Sequence, residues 1–166
     1  MKENDMTLFR SILASTLVLV WFSAQGLANG LQPRDGWRII DTTHAFSELV
    51  DRVKAAVKAE KMGLVTQASA SAGAKGQGIV IPGNQVLGVY RNDYARRMLK
   101  ASIAAGIEAP IRFYVTENDD KSATLSWKTP SEVFGPYMVE GGDDLKTMAA
   151  ELDGVFEAIA KRATSE

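Results

Sequence analysis

A chain of 166 residues with 19 basic and 20 acidic side chains, a formal net charge of −1 and no cysteine excludes a disulfide scaffold and thiolate chemistry. The near-neutral balance argues against a nucleic-acid binder, which needs a clustered basic face. One His leaves no second imidazole for a metal pair.

Residues 1–28 carry the pattern of a secretory signal peptide. Lys2 and Arg10 bracket a charged leader, Ile12 to Phe22 is apolar, and small residues lie one and three places before a cut after Ala28. The apolar run is shorter than the roughly 20 residues that span a bilayer. The expectation is a cleaved signal and a periplasmic or secreted protein, touching a membrane only before cleavage. No Cys follows the run, which excludes a bacterial lipoprotein. Residues 29–36 form a short leader, and residues 37–166 suffice for a single domain with a real core.

Trp37 to Thr42 reads as a first strand, with Trp37 and Ile39 on one face and Arg38 and Ile40 on the other. Phe46, Leu49, Val50, Val53, Ala56 and Val57 then recur at helical spacing. Thr43 is the expected cap of this helix, and Gly63 the expected left-handed residue after it. Leu64 to Ser71 reads as a second strand, and the Gly-rich Ala72 to Gly78 as a helical turn. Pro82-Gly83-Asn84 is a turn signal launching a third strand, Gln85 to Tyr90.

Asp93 is placed to cap a second helix, Tyr94 to Ala105, with Ala95, Met98, Leu99 and Ser102 on its apolar side. Ile111, Phe113 and Val115 alternate with Arg112, Tyr114 and Thr116. After a loop at Asn118–Ser122, Ala123, Leu125 and Trp127 alternate with Thr124, Ser126 and Lys128. This hairpin is the clearest β signal in the chain. Pro130 to Phe134 reads as a short helical turn and 135–144 as a loop. A long amphipathic helix begins near Asp143 or Asp144. The order β-α-β-β-α-β-β-α predicts an α+β two-layer sandwich, a mainly antiparallel sheet with helices on one face.

From Thr43 to Val115 the chain resembles the bacterial and archaeal family called domain of unknown function 302. The residues that carry the likeness are Phe46, Gly63, Gly73-Ala74, Tyr90, Asn92, Met98 and Ala109-Pro110-Ile111, with Ser126 to Pro130 after them. Ile81 to Asn84, Tyr90 to Ala95 and Gly106 to Tyr114 look like a secreted proteobacterial branch. Two positions depart from the family pattern. Ser69 and Ala70 stand where many members carry Asp-His, and Arg91-Asn92-Asp93 where many carry Gly-Asn-Pro. The resemblance implies a compact α+β fold, often a homodimer, and no established activity.

Arg91, Asn92, Asp93, Tyr94, Arg96 and Arg97 form the first candidate ligand site. A helix N-terminus with several Arg residues suits an anion; the competing explanation is that Asp93 already occupies the free N–H groups. Tyr90, Tyr114, Trp127, Phe134 and Tyr137 would line a pocket for an apolar ligand if they shared an uncovered sheet face, and are core residues otherwise. His44 lacks ligating or nucleophilic neighbours. The acidic runs Glu117–Asp120 and Glu140–Asp144 lack calcium-loop spacing. Gly73 to Gly78 is not a phosphate loop, and no nucleophile elbow is present.

These features predict a non-catalytic periplasmic accessory domain: a homodimer binding a small anionic or apolar ligand or a protein, with no metal, no cofactor and no nucleic acid. A small hydrolase or isomerase whose carboxylates meet only in three dimensions is the rival. A purely structural envelope dimer is a third possibility.

Overall fold

The computed structural model describes residues 30–166; the expected signal peptide lies outside the described residues. Five strands form one antiparallel sheet: β1 (Trp37–Ala45), β2 (Gly63–Ala68), β3 (Asn84–Tyr90), β4 (Ile111–Glu117) and β5 (Ser122–Lys128), in the spatial order β1-β5-β4-β3-β2. The helices are α1 (Phe46–Ala59), α2 (Ala70–Lys75), α3 (Asn92–Ala101), α4 (Pro130–Phe134) and α5 (Met138–Thr164), with short 3₁₀ turns at Ala104–Glu108 and Gly135–Tyr137. This is the expected α+β architecture, with helices packed on one side of the sheet.

Strand alternation sorts the side chains into two faces. On the helix side, Phe113 of β4 faces Leu87 of β3 and Trp127 of β5. Phe113 stacks on Phe156 of α5, ring centroids 4.7 Å apart, and meets Trp127 at 5.4 Å. Leu49, Val53 and Val57 of α1 and Leu145, Met148 and Ile159 of α5 are buried over the same layer. Their 3.6-residue recurrence produces that stripe.

Several local expectations are corrected. Thr43 lies within β1, and α1 begins after Ala45 without a side-chain cap. Lys61, not Gly63, adopts positive φ after α1, and Gly63 opens β2. Helix α3 starts at Asn92, so Asp93 sits in its first turn and pairs with Arg91 instead of capping. Helix α3 stops at Ala101, short of the expected Ala105, and of its expected apolar side Ala95 and Met98 are buried while Leu99 is exposed. Helix α5 starts at Met138 but breaks at Gly142, φ 55° and ψ −150°. Its regular part therefore begins at Asp143, as expected, while the preceding loop is partly helical.

Candidate functional site

The second sheet face carries no helix of the main layer and is organised in cross-strand rows. The register places Gly88 of β3 beside Arg112 of β4, and Lys128 of β5 beside Trp37 of β1. Phe113 faces Trp127, so one step further along the same ladder brings Arg112 opposite Lys128. The next row runs Ala68, Val86, Tyr114, Ser126, Ile39, and the third runs Asn84, Thr116, Thr124, Asp41. A cationic row, a mostly apolar row and a hydroxyl-rich row therefore succeed one another along the strands.

A groove of about 510 Å³ lies over these rows, bordered by Trp37, Val86, Arg112, Tyr114, Lys128 and Glu108. That volume falls in the range typical of small-molecule sites. Arg112 and Lys128 are exposed and have no carboxylate within 4.0 Å among the described residues. The Lys128 ammonium lies 5.9 Å from the Trp37 ring centroid, and the Arg34 guanidinium 5.4 Å from it. Glu108 accepts a 2.8 Å hydrogen bond from the Tyr137 hydroxyl, which holds the Tyr137 phenol above its ordinary pKa. Asp41 accepts from Thr124 at 2.7 Å. Trp127 borders the groove as well, and its buried indole N–H has no hydrogen-bond partner among the described residues.

Of the six candidate residues at the start of α3, Arg91, Asp93, Tyr94 and Arg97 lie together, with the charges in paired form. Arg91 forks onto Asp93 at 2.7 and 3.0 Å, and its guanidinium lies 4.3 Å from the Tyr94 ring centroid. Arg97 forks onto Glu151 of α5 at 2.6 and 2.9 Å and lies 5.5 Å from the Tyr94 ring. These bonds hold the Asp93 and Glu151 carboxyls below their ordinary range. Asn92 is exposed, and Arg96 has no carboxylate partner among the described residues. Behind Arg91 and Tyr94 lies a narrow apolar cavity of about 30 Å³, with Met62, Met98 and Met148 in its wall.

The aromatic set is divided. Tyr114 lies on the uncovered face, whereas Trp127 and Phe134 are buried in the core. Tyr137 is engaged by Glu108, and Tyr90 closes β3. His44 sits against Glu48 at 3.0 Å and the Ser165 carbonyl at 3.3 Å. Glu117 accepts from the Gly83 N–H and pairs with Lys121, which together lower its carboxyl.

Sequence reasoning missed Arg112, Lys128 and Trp37 as a unit. The signal was present: both hairpin strands alternate cleanly, and pairing Phe113 with Trp127 forces Arg112 and Lys128 onto the opposite face.

Comparison with known proteins agrees with this architecture. The family described as "Domain of unknown function DUF302" matches residues 39–162. No curated protein matches the sequence. Among solved structures, that of an uncharacterized conserved DUF302 protein from Bacillus stearothermophilus superimposes with a TM-score of 0.68 at 19% identity, covering 78% of this chain and 99% of that one. At that identity the likeness shows the fold alone. The family match covers well over half of the chain, from within β1 to near the end of α5, and the chain belongs to the DUF302 family.

Proposed function

We propose that this protein is a non-catalytic accessory domain of the bacterial envelope that holds a small ligand in the groove on its uncovered sheet face. The observation that carries this reading is the meeting of Arg112 and Lys128, two cations without a carboxylate partner among the described residues, with the apolar row of Ala68, Val86 and Tyr114 in one groove. Ligand sites combine apolar walls with a few convergent polar groups in this way. Binding is favoured over acid–base chemistry because Glu108 and Asp41 are each engaged by a neighbouring hydroxyl. The α3 cluster is the weaker anion site, since Asp93 and Glu151 already occupy two of its three Arg residues.

The signal pattern of residues 1–28 and the likeness to a secreted proteobacterial branch support a periplasmic or secreted location. The family resemblance supports a homodimer. Native mass spectrometry on protein gently isolated from the periplasm tests the proposal. An excess mass that departs on denaturation is expected. A bare mass in every oligomeric form would overturn the carried-ligand reading and shift weight to a structural role.

A further inference from the structure

We infer that the groove takes a small organic anion with a flat apolar body, its anionic head between Arg112 and Lys128 and its body along the Ala68–Val86–Tyr114 row. This rests on the binding-domain reading above and adds the chemical class of the ligand.

The first argument is electrostatic. Like charges directly opposite on neighbouring strands destabilise a sheet. Arg112 and Lys128 stand in that relation, and neither is relieved by a carboxylate among the described residues. Glu108, the one carboxylate bordering the groove among the described residues, accepts its bond from Tyr137 instead. Arg34, beside Trp37, adds a further positive charge at that end. An anion seated across the row removes the repulsion and forms charge-assisted hydrogen bonds with both donors.

The second argument is spacing. Successive same-face rows are two residues apart, about 7 Å along a strand. A head on the first row therefore carries its body over Val86 and Tyr114, where a planar ring lies against aliphatic and aromatic surface. A compact inorganic anion uses only the first row, and a cationic or neutral amphiphile gains nothing from it.

The test is isothermal titration calorimetry at low salt with three probes of one shape: naphthalene-2-carboxylate, 2-naphthalenemethanol and 2-naphthylmethylammonium. The wild type is compared with the Arg112→Gln, Lys128→Gln double variant. The carboxylate is expected to bind at least about tenfold more tightly than the alcohol, as one charge-assisted bond supplies, with the ammonium weakest. The double variant is expected to lose that preference, binding the carboxylate no more tightly than the alcohol. Equal binding of carboxylate and alcohol by the wild type overturns the anion inference and leaves the apolar groove standing. Absence of binding by all three overturns the groove itself. If the double variant does not fold, the order of the three probes on the wild type still decides.

Discussion

Arg112 and Lys128 face each other across adjacent strands on the uncovered side of the sheet, directly behind the Phe113–Trp127 pair of the core. The same two strands thus present a tightly packed aromatic pair on one face and an unrelieved pair of cations on the other. The first contact holds the sheet to its helices. The second is a local cost to the fold that a bound anion, on the proposed reading, would relieve.

Arg112→Gln is expected to leave the fold intact and raise its stability at low salt by about 0.2–1 kcal/mol, the usual scale of a cross-strand pair. Added salt should shrink the gain, because these exposed charges are screened. Urea titrations at low and high ionic strength check it. A loss of stability at low salt would mean that Arg112 makes a favourable contact.

The two faces of β4 should answer differently to truncation. Phe113→Ala removes a ring that is fully buried between Phe156 and Trp127 and should cost about 3–5 kcal/mol. Tyr114→Ala, on the groove side, should cost far less while weakening binding of naphthalene-2-carboxylate. Similar denaturation midpoints for the two variants would contradict the face assignment.

The α3 ion pairs set a pH dependence. Asp93 and Glu151 are held below their ordinary carboxylate range by Arg91 and Arg97. Depressed carboxyls contribute stability above their unfolded pKa values, near 3.8 and 4.5, and lose it as pH falls through the lower folded values. Both pairs are substantially exposed, so solvent screening keeps the effect small. Wild type should melt slightly above Glu151→Gln at pH 7, and the gap should close as the pH drops below the ordinary carboxylate range. A gap that widens on acidification would contradict the sign.

Gly142 breaks α5 at φ 55°. Gly142→Ala places a Cβ at positive φ with ψ near −150°, a region essentially reserved for glycine, and should destabilise the fold by about 1–3 kcal/mol. Gly154→Ala, in the regular part of α5 with open space around its Cβ position, should be stabilising or neutral by helix propensity. Thermal melts of the two variants should move in opposite directions or differ clearly in size.

The hairpin of β4 and β5 and the stripe of α1 were legible because periodicity reports burial directly. Helix ends were less legible, since Lys61 took the positive φ expected of Gly63 and Arg91 captured Asp93. Trp127 and Tyr114 both sit on strands of one hairpin, yet only the register separates core ring from groove ring. The groove itself joins Trp37, Val86, Arg112 and Lys128 from four strands, a juxtaposition that strand order creates and linear spacing does not announce.

The most direct test of the groove is a two-dimensional NMR titration of the protein with naphthalene-2-carboxylate. Shifts are predicted at the Trp37 indole N–H and at the amides of Val86, Arg112, Tyr114 and Lys128, with the start of α3 unmoved. Shifts centred on Arg91 to Arg97, with the sheet face silent, would contradict the account and move the anion site to α3.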